Sequence, residues 1–120
     1  MTGLLVVLGA AVGAPLRFAL GHWLDGRLPW GTILVNLVGS FLLGLLAKTS
    51  FDRDWSETQT LPLTVGFLGA FTTFSTFSVE THTMLREGRT LAAGAYLGLS
   101  VVGGLLAAAA GYAVAATSRG

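Results

Sequence analysis

The sequence predicts an all-α integral membrane protein with four transmembrane helices, the third broken near its middle. Three observations predict it. Only 11% of the 120 residues are charged and 52% belong to the hydrophobic set, whereas a soluble domain carries about 25% charged residues to cover its surface. The mean hydropathy is +0.71. Uncharged apolar stretches recur at about the 20 residues a helix needs to cross roughly 30 Å of hydrocarbon. The lack of cysteine excludes a disulfide scaffold, a zinc finger, an iron–sulfur protein and thiol chemistry. A net charge of +1 gives no electrostatic footprint for nucleic acid.

The first stretch covers residues 3–24 and contains one charge, Arg17. No Lys or Arg precedes it, so the basic n-region of a signal peptide is missing and a permanent helix is expected. Pro15 removes one helix hydrogen bond there and favours a kink. The second stretch covers residues 30–46, the third 61–79 and the fourth 91–116. Their connections, 25–29, 48–60 and 80–89, hold every other charge except Arg119. Residues 1–120 are therefore expected to form one four-helix transmembrane subunit with short polar loops. Apolar residues stand at consecutive positions rather than alternating, which argues against a β-barrel. Trp23, Trp30 and Trp55 flank the spans as interfacial anchors do.

Lys48, Arg53 and Arg119 fall on the side of the N-terminus, and Arg27, Arg86 and Arg89 on the other. This even split carries no positive-inside bias. Chance placement produces it, and so does insertion in both directions. In the second case, oppositely inserted copies pair antiparallel about a two-fold axis in the membrane plane. Gly9 and Gly13, Ser40 and Gly44, Gly94 and Gly98, and Gly104 and Ala108 form small-xxx-small pairs, a signal for close helix contact. A bundle this small encloses little room for a pore, so a transport role favours an oligomer.

Polar groups in lipid are costly, and each asks for an account. Arg17 either snorkels or satisfies a loop carbonyl, or it builds an electropositive vestibule for anions. Asn36 either bonds a neighbouring helix or donates its NH₂ to a dehydrated anion, and Ser40 faces the same way one turn on. Tyr96 and Ser100 align two hydroxyls at i, i+4. His22 and His82 stand near span ends with no second ligand at metal spacing, which reads as solvated interface histidines. The third stretch is different. Thr72, Thr73, Ser75, Thr76 and Ser78 pack five hydroxyls into seven residues, interleaved with Phe74 and Phe77. That density beside Gly66 and Gly69 predicts an unwound or broken helix. Non-helical backbone at that depth must be buried in protein or line a cavity, and its carbonyls are ready ligands for a cation. The segment points to an ion site.

Three stretches carry a family likeness: Gly9-Ala-Ala-Val-Gly13-Ala-Pro-Leu-Arg17, Gly31-Thr-Ile-Leu-Val-Asn36-Leu-Val-Gly39-Ser40-Phe41, and Gly66-Phe-Leu-Gly69-Ala-Phe-Thr72-Thr-Phe74-Ser-Thr-Phe77-Ser-Val-Glu80. With them the chain resembles the CrcB or Fluc fluoride channels over its whole length. The resemblance implies a dual-topology antiparallel homodimer in a prokaryotic plasma membrane, a channel rather than an enzyme. Its two pathways would export fluoride from the cytoplasm passively. It also implies site residues. Asn36 is the pore amide, Phe74 and Phe77 are the ring pair beside the ions, and Ser75 and Thr76 with Tyr96 and Ser100 form a polar track. Gly69 and Thr72 offer backbone carbonyls from both subunits to a structural Na⁺ on the two-fold axis. Arg17 and Glu80 stand at the vestibule ends of the pathway. No residue from 61 to 78 is basic, which suits an anion path that must release its ion. Two rival classes stand beside this reading. A small dual-topology multidrug/proton antiporter calls for a deep carboxylate, whereas every Asp or Glu here is expected in a loop or, as Glu80, at a helix end. A purely structural membrane subunit leaves the hydroxyl and phenylalanine run without a reason.

Overall fold

The computed structural model describes residues 1–118, all of them in helices or short connections. Arg119, counted above among the charges, lies outside the described residues. Helix α1 is Thr2–Leu24 and α2 is Trp30–Asp52. The third span is composite. Its first rod, α3, covers residues 57–71: an α-helical start (Glu57–Leu61), a wide π-wound stretch (Pro62–Leu68) and a last turn (Gly69–Phe71). Residues 72–74 break the helix, α4 (Ser75–Arg86) completes the span, and α5 (Thr90–Ser118) returns. Four helical segments, with α3 and α4 counted as one, are long and apolar enough to cross a membrane. The longest dimension is 49 Å and the thinnest 20 Å, long enough for a bilayer but only about two helices thick.

Helix ends differ from the apolar count because polar side chains carry the helices beyond the hydrocarbon. Helix α2 runs to Asp52 instead of ending at 46, extended by the Lys48–Asp52 ion pair of 3.0 Å at i, i+4. It stops in a Schellman turn: Trp55 N–H reaches Ser50 O, Asp54 N–H reaches Phe51 O, and Asp54 takes the left-handed φ of 54°. Helix α3 starts at Glu57 because Ser56 and Gln59 form a capping box. Helix α4 runs to Arg86 and ends in a second Schellman turn at Gly88, φ 76°, with Arg89 N–H on Met84 O. Glu80 therefore sits inside a helix and not in a loop or at its end. Helix α1 continues through Pro15.

Glycines decide which helices touch. A Cβ at Gly13 would collide with Phe67 O, one at Gly9 with Pro62 O, and one at Gly66 with Val6 O, so α1 and the π-wound part of α3 meet backbone to backbone. The same contact joins α2 to α5, with Gly44 against Ala108 O and Gly111 against Phe41 O. The Gly94 and Gly98 pair meets nothing within 4 Å, so that expected contact is not made within the chain. Two small cores result. Ile33, Phe77, Met84, Ala93 and Tyr96 form one, and Val35, Leu68 and Phe71 the other. Outward faces of α1 and α5 carry Leu4, Val7, Val12, Leu91, Leu105 and Leu106 exposed, the inverse of a soluble bundle and the surface lipid requires.

Candidate functional site

The break is where the backbone loses its helical partners, so the accounting of its hydrogen bonds defines the site. In a continuing helix, Thr73 N–H would donate to the Gly69 carbonyl. Here it donates to Asn36 Oδ1 at 2.9 Å, and Asn36 Nδ2 donates back to Thr73 O at 3.0 Å. One amide thus clamps both faces of one peptide residue across the α2–α3 contact. Thr76 N–H, which would reach Thr72 O, instead donates to Thr73 Oγ1 at 3.2 Å and starts α4. The carbonyls of Gly69 and Thr72 are left without their helical donors, and Thr72 is extended with ψ 161°. Between them, the Ala70 carbonyl accepts from Arg17 Nε at 2.9 Å. Arg17 therefore does satisfy a carbonyl of the break.

Two grooves meet at Thr73. The first, about 300 Å³, includes Asn36, Ser40, Gly69, Thr72, Thr73 and Phe74 in its walls. The second, about 310 Å³, is lined by Arg17, His22, Asp25, Thr32, Thr73 and Thr76, with Phe18 and Gly21 completing it. Arg17 thus both braces the break through Ala70 O and lines the second groove. Asn36 likewise has two donors, of which Thr73 takes one.

An aromatic line leads away from the break. Phe74 and Phe77 centroids are 5.9 Å apart with planes at 52°, and Phe77 and Tyr96 are 5.1 Å apart at 54°. Phe77 is 7% exposed, whereas Phe74 is 78% exposed and projects off the chain. Tyr96 is fully buried and its hydroxyl donates to Glu80 Oε1 at 2.8 Å. Ser100 Oγ is buried with no hydrogen-bond partner in the chain. Ser75 is exposed and Thr76 half-buried, so within one chain the four track residues do not share a single groove.

Two members of this arrangement escape sequence reasoning. Thr73 is the hub through its backbone, which no side-chain pattern reports. Thr32 is buried, lines the Arg17 groove and adjoins Glu80 and Tyr96. Its signal was available, because Thr32, Asn36 and Ser40 repeat at i, i+4 along α2. Among the described residues no group of three His, Cys, Asp or Glu side chains could hold a metal ion.

The family described as CrcB-like protein, Camphor Resistance (CrcB), matches residues 4–112. Among curated relatives, the fluoride-specific ion channel FluC of Bordetella petrii is 47% identical over 118 residues, covering 97% of this chain and 92% of that protein. The FluC of Thermus thermophilus is 46% identical over 113 residues, covering 91% and 89%. The FluC of Hyphomonas neptunium is 48% identical over 110 residues, covering 87% of each. With the family match over residues 4–112 and relatives 46–48% identical over most of both chains, the chain belongs to the CrcB-like family.

Proposed function

We propose that the protein is a fluoride-selective channel of the plasma membrane, passing fluoride passively out of the cytoplasm, and that it acts as an antiparallel homodimer with two pathways. The observation that carries the reading is the clamped break. A small, strongly hydrated anion needs close donors in place of water, without a fixed cation in the filter to trap it. Asn36 keeps a second N–H after binding Thr73 O. Phe74 and Phe77 present the electropositive edges of tilted rings. Ser75, Thr76 and Ser100 add hydroxyls, the unpartnered Ser100 hydroxyl being a donor the fold itself does not use, and Tyr96 continues the track with its O–H held by Glu80. Arg17 and Glu80 stand at the two vestibule ends.

The dimer reading rests on several features. Lys48 and Arg53 stand at one membrane end and Arg27, Arg86 and Arg89 at the other. Phe74 is left projecting from the subunit. The slab is too thin to enclose a pore. The freed Gly69 and Thr72 carbonyls suit a weakly held monovalent cation better than a divalent one, because they bring no formal charge. Na⁺ bound there would hold two carbonyl sets together. Replacing Na⁺ by a bulky organic cation during purification is expected to weaken the dimer. Single cysteines in the Arg53 loop are expected to label from both membrane faces.

Fluoride efflux from proteoliposomes, with chloride efflux from the same preparation beside it, tests the main reading. Fast fluoride and negligible chloride release is expected. Equal rates, or none, would overturn it. A proton-coupled antiporter now meets a carboxylate within a helix, but Glu80 is tied to Tyr96 and the relatives are fluoride channels.

A further inference from the structure

The Arg17 groove carries one group that nothing above uses. His22 lies five residues beyond Arg17 on α1, about 7.5 Å farther along the axis at 1.5 Å per residue, and both line the same groove. Its ring stacks on Phe18, with centroids 6.1 Å apart and planes at 11°. Stacking occupies a face of the imidazole, and the exposed ring keeps its in-plane edge clear of Phe18. Among the described residues no hydrogen bond engages either nitrogen.

We infer that His22 is a protonatable anion-receiving residue of the conduction path, standing at the outer mouth of the groove that ends at Thr73 and Thr76. The inference rests on the fluoride-channel reading above and adds a residue to it. The charges around His22 make it decisive. Helix α1 supplies Arg17, whose Nε is on Ala70 O, and the α1–α2 turn supplies Asp25, whose Oδ1 accepts from Gly31 N–H at 2.8 Å. These two opposite charges offset each other. The other walls offer hydroxyls, Thr32 from α2, Thr73 from the break and Thr76 from α4. Glu80, one turn beyond Thr76, is bonded to Tyr96 and lines a neighbouring groove with Asp25. The sign of the groove mouth therefore follows the imidazole. When His22 is protonated the mouth is positive and concentrates anions.

A unit charge about 7 Å from the path in water-like surroundings changes the local anion concentration about two- to threefold at low salt. The effect fades as the screening length falls to about 3 Å near 1 M salt. The test is fluoride current across a planar bilayer, measured at steps from about pH 8 to about pH 5. Electrical recording counts charge, so neutral hydrogen fluoride crossing the lipid does not register. The natural chain is expected to conduct about twofold better at the acidic end. His22→Gln is expected to conduct at the lower level throughout, and His22→Lys at the higher level throughout. His82→Gln changes a histidine that lines neither groove and is expected to titrate like the natural chain. If His22→Gln keeps the full pH response, or His22→Lys still titrates, the assignment is wrong and the response belongs to another group such as Glu80. An absence of fluoride current from the natural chain at every pH would instead overturn the channel reading itself.

Discussion

Replacing Asn36 by leucine keeps the volume and removes both hydrogen bonds to Thr73. Side-chain hydrogen bonds between membrane helices average about 0.6 kcal/mol and reach about 1.7. Two of them at 2.9 and 3.0 Å give about 1–3 kcal/mol. The value belongs at the upper end of that range, because Thr73 N–H and C=O have left the helix and find no water at mid-membrane to replace the amide. An unpaired buried polar group costs about 1–3 kcal/mol, so Asn36→Leu is expected to destabilise the chain by about 2–4 kcal/mol. Titration with SDS in mixed micelles reads this cost. Ser40→Ala is the reference, one turn along the same face with no clamp to lose, and is expected to cost under about 0.5 kcal/mol. Fluoride efflux should fall by about tenfold or more, since both the free N–H and the shape of the break are lost. The reasoning fails if Asn36→Leu unfolds at the same SDS fraction as Ser40→Ala, whatever its effect on flux. Such a result would leave Asn36 as a pore amide with no structural duty.

Three further outcomes are expected. Gly111→Ala drives a Cβ into the Phe41 carbonyl, a backbone atom that cannot yield, and should cost about 1–3 kcal/mol, whereas Gly98→Ala meets nothing within 4 Å and should leave thermal stability in detergent unchanged or slightly raised. Tyr96→Phe removes the donor to Glu80 Oε1 and should cost about 1–3 kcal/mol in the same assay, with reduced fluoride efflux; unchanged efflux would remove Tyr96 from the path. Phe77→Leu should cost under about 1.5 kcal/mol and the projecting Phe74→Leu almost nothing within the subunit, yet both should cut efflux while Phe67→Leu does not.

Much of this fold is legible in the sequence, and the failures share a cause. Composition and span length give four helices, and the hydroxyl run gives the break, because the cost of polar groups in lipid acts residue by residue. Hydropathy sees only the hydrocarbon slab, however, so Lys48 to Asp52 and Glu80 to Arg86 read as loops although they are helical. The Ser56 and Gln59 capping box and the Gly88 Schellman turn were present as sequence patterns and would have placed those ends. The break falls at residues 72–74, within the hydroxyl run and beside Gly66 and Gly69. Those glycines are helical, and Gly66 serves the approach of Val6. At the site, side chains with an evident chemical identity were legible, including Asn36, Arg17, Phe74 and Phe77. The clamp was not, since its other half is a peptide group and every residue carries one. Nor was the Tyr96 to Glu80 bond, which joins two side chains sixteen residues apart on consecutive helices, where no residue pattern singles out the pair.

The break also sorts polar groups by sign. The C-terminal end of α3 presents carbonyls and the N-terminal end of α4 presents N–H groups, so a cation is favoured on one side of Thr73 and an anion on the other. This polarity belongs to the backbone, which yields a sharp expectation for Thr72. Its hydroxyl donates to Leu68 O at 2.8 Å and is thereby occupied within α3, while its carbonyl is the group left without a helical donor. Thr72→Val keeps the shape and the carbonyl and removes only the hydroxyl. Because Leu68 O still accepts from Thr72 N–H at 2.9 Å, the loss should cost under about 1 kcal/mol. Dimer stability in Thr72→Val should depend on Na⁺ as steeply as in the natural chain, read by exchanging Na⁺ for a bulky organic cation. A dimer that no longer responds to Na⁺ would assign the cation to the hydroxyl and contradict the backbone account. Gly69→Ala provides the complementary measurement. Its Cβ meets only Thr64 O, at 3.7 Å, within the subunit, so any loss of dimer there reports crowding at the partner copy.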